Sequence, residues 1–303
     1  MDEEGPFDLD SSDIAEVGRV LAHACGLSLT QGLDGTLCSG VVGAAAARKV
    51  SPAELIRQLL SGDAESIALL IEHSVVGESS FWRYPEQFAA LRRHLFDRPE
   101  PLRIWSAGCA SGEEPYSLAM AVLEAGRPVG RDRILATDVS EHALAKARVG
   151  RYAPWALRRL SPALRERHFR DDAGSAVVLE PVKSMVELRR GNLIAEPENP
   201  NDPREASGFD AILCRNVLIY FEPETVAEVL LRLLRALRPG GYLVLGPIEL
   251  PFAAPLWLDW IESDGATLLQ KPIDPEKTTP RIERLPAAPA ETRPGAPPRT
   301  YPG

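Results

Sequence analysis

Leu102-Arg103-Ile104-Trp105-Ser106-Ala107-Gly108-Cys109-Ala110-Ser111-Gly112-Glu113-Glu114-Pro115 reads as a strand, a loop of small residues and the start of a helix. A short apolar run that stops at a glycine suits a buried strand. Small loop residues let backbone N–H groups approach a bound nucleotide or amino-acid moiety, and glycine adopts the dihedrals that such a loop needs. By itself the pattern fits a dinucleotide site or a tight structural turn equally well.

Working towards the C-terminus, strands and helices alternate over residues 102–271, the mark of a parallel α/β sheet. Leu102 to Ala107 is the first strand, Glu113 to Glu124 a helix and Arg133 to Thr137 the second strand. Asp138 follows at the position where doubly wound folds place an acid on the ribose hydroxyls. Asp138 and Ser140 also precede an alanine-rich helix, so an N-cap is the alternative reading. Glu113 and Glu114 at a helix start would repel a pyrophosphate. They suit a cofactor with a positive sulfonium and an amino group, which favours S-adenosylmethionine over a nicotinamide dinucleotide. Phe209 to Cys214 is a later strand, and Arg215-Asn216 just beyond it face the same crevice. Asn192-Leu193 precedes a loop within reach of an adenine. A helix with Val226, Val229, Leu230, Leu233, Leu234 and Leu237 on its apolar face is stopped by Pro239-Gly240-Gly241. Tyr242 to Leu245, Leu258 to Glu262 and Thr267 to Lys271 complete the sheet.

Towards the N-terminus the chain reads as helical over residues 11–96, after a flexible acidic stretch, 1–10. Ile14, Val17 and Leu21 share one helix face. Ser51 is an N-cap with Pro52 at the first helical position and Glu54 at the capping-box position, and Leu55, Ile56, Leu59 and Leu60 form the buried stripe. Ile67, Leu70 and Ile71, then Phe88, Leu91 and Leu95, mark two more helices. Residues 97–271 form the α/β domain. Within it, 151–192 is too long for a plain crossover and reads as an inserted β-subdomain, with Val177 to Glu180 and Val186 to Arg190 as a hairpin. Residues 272–303 hold nine of the 27 prolines and read as a disordered tail.

Composition narrows the chemistry. The formal net charge of −9 gives no support to a nucleic-acid binder. Cys25, Cys38, Cys109 and Cys214 form no C-x-x-C pair, so neither a zinc site nor a disulfide framework is expected. The start, Met-Asp-Glu-Glu, lacks the positive charge of a signal peptide, and no apolar run reaches membrane-spanning length, so a cytoplasmic location is expected. There is no Asn/Asp-Pro-Pro-aromatic motif and no Pro-Cys nucleophile. The five histidines lie outside the crevice motifs. A methyl acceptor that needs no base fits this, and a carboxylate is one, being ionised at neutral pH with a reference pKa of about 4.3.

These residues place the chain beside a known family. Ser79-Ser80-Phe81-Trp82-Arg83 leading to Phe88, Ile104-Trp105-Ser106-Ala107, Ser111-Gly112-Glu113-Glu114-Pro115-Tyr116-Ser117, Ala136-Thr137-Asp138 and Phe209 to Phe221 occur in the order and spacing of the CheR-type chemotaxis-receptor methyltransferases. The chain resembles that family over about residues 11–271. The resemblance implies a helical N-terminal domain, a Rossmann-like S-adenosylmethionine-dependent methyltransferase sheet and a small inserted β-subdomain. It implies methylation of glutamate side chains in the cytoplasmic part of a methyl-accepting chemoreceptor, with S-adenosylhomocysteine as by-product. By position it assigns cofactor contacts to Ser79, Arg83, Glu113, Asp138, Asn192, Leu193, Arg215 and Asn216. Arg83, from outside the α/β fold, would lie near the methyl and hold the acceptor carboxylate, with Tyr220 shaping the acceptor site. The chain departs from the family at Gly77-Glu78-Ser79, where Asn-x-Thr is usual, and at Trp82, usually Phe. Residues 36–49 keep only Arg48 and Lys49 of a commonly arginine-rich helix, which weakens electrostatic steering to an acidic receptor. A short turn at Arg170 to Ala176 implies binding without a tethering receptor peptide.

Overall fold

The computed structural model describes residues 11–28, 34–75, 77, 79–195 and 208–274. The stretch 1–10, Glu78 and, from residue 275, the proline-rich tail lie outside the described residues. Four helices open the chain: α1 (Ser11–Cys25), α2 (Asp34–Arg48), α3 (Pro52–Leu60) and α4 (Ala64–Ser74). Ser51 caps α3, its Oγ accepting the Glu54 N–H at 3.2 Å. Leu55, Ile56 and Leu59 are buried, but Leu60 is exposed, contrary to the stripe read from sequence. It sits about 140° round the helix from Leu55, at the last turn, where no neighbouring helix covers it. α2 lies close against α4 because Gly40 and Gly43 carry no side chain. A Cβ on either would stand 2.3 Å from Ser74 Oγ or 2.6 Å from the His73 ring. Arg48, one of the two cations left at the end of this segment, is paired with Asp63 at 3.2 Å and with Glu65.

α5 (Pro85–Leu91) and a π-helical turn, Arg92–Phe96, lead into the α/β part. A buried clamp fixes this entry. Arg127 donates to both oxygens of Asp132 at 2.6 Å and to the carbonyls of Phe96 and Glu100 at 3.0 and 2.6 Å, while Asp132 accepts the Leu102 N–H at 2.7 Å. The elements that follow are β1 (Arg103–Ala107), α6 (Glu113–Glu124), β2 (Arg133–Asp138), α7 (Glu141–Val149), β3 (Arg151–Tyr152), α8 (Pro162–His168), β4 (Phe169–Asp172), β5 (Ser175–Val178), α9 (Glu180–Lys183), β6 (Val186–Arg190), β7 (Phe209–Cys214), α10 (Pro223–Ala236), β8 (Leu237–Leu245), β9 (Asp259–Ser263) and β10 (Ala266–Gln270). The main sheet has the order β6-β2-β1-β7-β8-β10-β9. β6, β2, β1, β7 and β8 are parallel, and β10 and β9 are antiparallel. The strand order turns back at β1, so the carboxyl ends of β1, β2 and β7 frame a crevice, as in Rossmann-like folds. β7 is buried at every residue and does not alternate; its one polar residue, Asp210, accepts the Arg103 N–H at 2.7 Å and pairs with Arg238 at 2.6 Å.

Two sequence expectations fail here. Val186–Arg190 does not form a hairpin with the 177–180 region. It is the edge strand of the main sheet, parallel to β2, with Val186 opposite Ile134 and Arg190 opposite Asp138. The small sheet is β3-β5-β4, closed by a two-residue turn at Ala173-Gly174 with both φ positive. Pro239-Gly240-Gly241 does not stop α10. Leu237 is already extended and paired with Phe209, and the three residues make a bulge inside β8 before pairing resumes at Tyr242 opposite Ala211.

Candidate active site

An open cleft lies at the carboxyl ends of the parallel strands, and several loops meet in it. Gly108, Cys109 and Ala110 follow β1, Asp138 ends β2, Gly191, Asn192 and Leu193 follow β6, and Arg215 and Asn216 follow β7. Gly108 has φ +78°, and a Cβ there would stand 2.5 Å from Val217 Cγ2, so the loop needs this residue on both counts. The helical segments close the other side through Ser79, Arg83, Cys25, Leu27 and Val75. Leu27 bridges to Phe221, the Ser28 N–H donates to Tyr220 O at 2.7 Å, and Asn192 Nδ2 donates to Ala24 O at 2.8 Å. The end of α1 is therefore fastened to the walls of the crevice.

Asp138 accepts the Ala110 N–H at 2.8 Å and the Ser140 N–H at 2.9 Å. The N-cap of α7 is Ser140, not Asp138, since Ser140 Oγ accepts the Ala143 N–H at 3.0 Å. Each carboxylate oxygen retains capacity for a further donor. Burial, with the Glu72 charge nearby, raises the Asp138 carboxyl above its ordinary 3.8. Glu72 in turn holds the start of α7, accepting the Glu141 N–H at 2.6 Å and the Ser140 hydroxyl.

The two acids that open α6 sit in different surroundings. Glu114 lines the cleft but is ion-paired with Arg215 at 2.6 Å and accepts the Ser106 hydroxyl at 2.6 Å. Its charge is therefore compensated. Glu113 is buried behind the loop, where Ser111 donates to it at 2.9 Å and Ser79 also bonds to it, and it is not among the cleft-lining residues. Ser79, Arg83, Asp138, Asn192, Leu193, Arg215, Asn216 and Tyr220 are brought together in the lining.

Arg215 organises the entrance. Besides Glu114, its guanidinium donates to Arg83 O at 2.7 Å and Gln87 Oε1 at 2.9 Å, and it lies 5.3 Å from the Phe88 ring centroid and 5.7 Å from that of Tyr84. The Arg83 guanidinium stands 5.4 Å from the Tyr84 ring, and among the described residues no acid is paired with it. The Tyr84 hydroxyl accepts from Asn216 Nδ2 at 3.2 Å. Trp82, Tyr84, Ala110 and Asn216 all have positive φ, from 47° to 60°. Backbone strain of this kind persists only where surrounding contacts over-determine it, and it concentrates at functional sites.

Glu249 is a residue that sequence reasoning missed. It is fully buried, and its two oxygens accept four backbone N–H groups, from Asn216, Val217, Leu218 and Gly246, at 2.7–2.8 Å. Burial pushes this carboxyl up and the four donors oppose that. A single acid in the apolar run Leu245-Gly246-Pro247-Ile248-Glu249-Leu250-Pro251-Phe252 was the available signal. Cys25, Leu27 and Val75 were missed because they lie at or just beyond the ends of α1 and α4, far in sequence from the crevice motifs.

The lining fits S-adenosylmethionine. Asp138 suits a ribose diol, and the half-buried Leu193 and Val139, with the buried Leu27, suit an adenine face. Asn216 Oδ1 is a buried acceptor without a partner among the described residues, which suits an amino group. Replacing Asp138 with Asn is expected to weaken S-adenosylhomocysteine about tenfold, the loss of one hydrogen bond to a charged group of ~1.5 kcal/mol. Only the ionised carboxylate accepts from both hydroxyls, so wild-type affinity should fall on acidification. Because the carboxyl is raised, the fall begins at a higher pH than an ordinary aspartate, of pKa 3.8, would give. Calorimetric titration across pH checks both results.

Burial pushes both thiols in the lining up, Cys25 to about 11 and Cys109 well above its ordinary value, which favours their neutral form. Residues 77–265 match the family model "CheR methyltransferase, SAM binding domain". The probable biofilm formation methyltransferase WspC of Pseudomonas aeruginosa is 39% identical over 199 residues, 63% of this chain and 46% of that protein. A chemotaxis protein methyltransferase of Vibrio parahaemolyticus is 37% identical over 212 residues, 66% of this chain and 74% of that one. The chain thus spans less than half the length of the WspC protein it matches. A solved SAM-dependent methyltransferase of Geobacter sulfurreducens, in complex with S-adenosyl-L-homocysteine, aligns with 59% of this chain and 53% of that one at 16% identity and a TM-score of 0.32. With 189 consecutive residues under the family model and the cleft built as described, the chain belongs to the CheR methyltransferase family, and residues 77–265 are its SAM-binding domain.

Proposed function

We propose that the chain transfers a methyl group from S-adenosylmethionine to glutamate side-chain carboxylates of a methyl-accepting chemoreceptor or related signalling protein, giving methyl esters. The carrying observation is Arg83, a cation at the cleft with no acid paired to it among the described residues. A guanidinium fork binds a carboxylate in a bidentate pair. No histidine or lysine lines the cleft among the described residues, which suits an acceptor already ionised. The cofactor supplies an electrophilic methyl on a sulfonium and leaves as S-adenosylhomocysteine. The chain's part is then alignment and exclusion of water, with Arg83 on the acceptor and Tyr220 beside it. No described helix is long and apolar enough to cross a membrane, and a cytoplasmic site of action agrees with the acceptor proposed. The two-residue turn at Ala173-Gly174 supports docking without a tethering peptide.

A second reading, the same chemistry directed at another protein or a small acid, is favoured by one observation: Arg48 is occupied by Asp63 and Glu65. Labelled cofactor, the chain and the host's receptor domains separate the readings. Base-labile label on receptor glutamates supports the first, and label confined to another protein or small acid supports the second. Cofactor binding with no transfer at all would leave a non-catalytic signalling module.

A further inference from the structure

Residues 151–172 carry six arginines against three acids, a net of +3 in a chain of formal charge −9. Three of these arginines are neutralised. Arg151 pairs with Asp172, Arg165 with Asp171 at 2.8 Å, and Arg167 with Glu124. Among the described residues no acid is paired with Arg158 or Arg159, and both are exposed. They stand in the turn 154–159 with Trp155, which is 63% exposed. The Arg158 guanidinium lies 5.6 Å from the Trp155 ring centroid and donates to Trp155 O at 3.0 Å. An exposed tryptophan stacked with arginine is the composition of an interface anchor rather than of ordinary surface.

The position of this turn gives it a partner. Ala156 O accepts the Phe81 N–H at 3.4 Å, and the Phe81 ring packs edge-on against Tyr152 at 4.8 Å and Phe169 at 5.1 Å. Phe81 is two residues before Arg83. Chain geometry therefore keeps the Cα atoms of Trp155 and Arg83 within about 18 Å. A helix rises about 1.5 Å per residue, so a helical acceptor with a glutamate at Arg83 would bring residues up to roughly three turns away onto this turn.

We propose that Trp155, Arg158 and Arg159 form the docking rim for the acceptor protein, recognising acidic residues that flank the modified glutamate. The proposal rests on the reading of the cleft as a glutamate methyltransferase site. It also supplies the steering that α2 lacks here, since the rim keeps two unpaired cations while Arg48 is occupied.

The test uses the full chain, wild type and the Arg158→Glu/Arg159→Glu double variant, with Trp155→Ala as a second variant. All three positions are exposed, and unchanged S-adenosylhomocysteine affinity verifies the fold. The probes are the cytoplasmic domain of a host chemoreceptor and a synthetic glutamate-rich helical peptide of about 25 residues. A single-stranded oligonucleotide and phosphatidylglycerol vesicles serve as competing classes. Charge reversal is expected to raise the Kd of both acidic protein probes at least tenfold and to flatten their salt dependence. Trp155→Ala should raise KM for the receptor domain with kcat within about twofold. Equal Kd values for wild type and the double variant, absence of wild-type binding to the acidic probes, or tighter binding of the oligonucleotide or vesicles would overturn the rim. A wild-type chain that binds the receptor domain through this face but transfers no methyl would overturn the glutamate methyltransferase reading and leave the docking surface standing.

Discussion

Arg83→Ala is expected to lower methyl transfer about 100-fold while leaving the Kd for S-adenosylhomocysteine within about threefold. The reasoning starts from what holds Arg83. Its backbone carbonyl is gripped by the Arg215 guanidinium at 2.7 Å, and its own guanidinium stands 5.4 Å from the Tyr84 ring. Those contacts place a cation at the cleft without using up its five donors. A carboxylate nucleophile carries its own charge and needs to be aligned and stripped of water, so the residue that grips it acts on turnover. Misplacement of a reacting group by about 1 Å is worth roughly 100-fold, or about 2.7 kcal/mol at 25 °C. Arg83→Lys should recover only part of the rate, because a lysine keeps the charge and loses the planar fork. Single-turnover rates beside calorimetric Kd values separate the two effects. Equal losses in binding and rate would make Arg83 a cofactor contact instead.

The second large effect is on stability. Glu249→Gln keeps the shape of the side chain but turns one acceptor oxygen into an N–H donor facing two backbone N–H groups. The carboxylate now accepts from Asn216 and Gly246 through one oxygen and from Val217 and Leu218 through the other, all at 2.7–2.8 Å. Leaving two buried donors without an acceptor costs roughly 1–3 kcal/mol each. An expected loss of about 4 kcal/mol would lower the melting temperature by about 10 °C in a domain of this size. Because these donors belong to the loop carrying Asn216, S-adenosylhomocysteine affinity should fall with stability. A melting temperature unchanged within error would show that the loop is held by its apolar flanks alone.

Asp138 was legible in the sequence because it ends a local strand pattern, whereas Glu249 was not, because its four partners lie on two separate loops. β1, the small-residue loop, α6 and β7 are local patterns: a short apolar run, glycine punctuation and a 3.6-residue stripe. They stand where the sequence predicts them to within a residue. Pairing over long separations left no such trace. Val186–Arg190 has the alternation of a hairpin strand, yet its partner is β2, some fifty residues earlier, because period-2 alternation identifies a strand but not its neighbour. Glu114 reads as a free negative charge at a helix start, and only the fold brings Arg215, 101 residues away, to neutralise it. Pro239-Gly240-Gly241 carries the residues of a helix stop. The extended Leu237, paired with Phe209, had already ended the helix, so the glycines serve a bulge. Arg83 was reached through the family resemblance alone, since nothing in the pattern of residues 79–88 points it into a crevice at the ends of β1, β2 and β7.

One cleft, at the carboxyl ends of the parallel strands, is built to take one cofactor. Calorimetric titration of the wild-type chain with S-adenosylhomocysteine, repeated with Asp138→Asn, tests it most directly. The predicted result is saturable binding at a single site in the wild type and about tenfold weaker binding in the variant. No binding by a folded wild-type chain, or equal affinity in the two proteins, would contradict it.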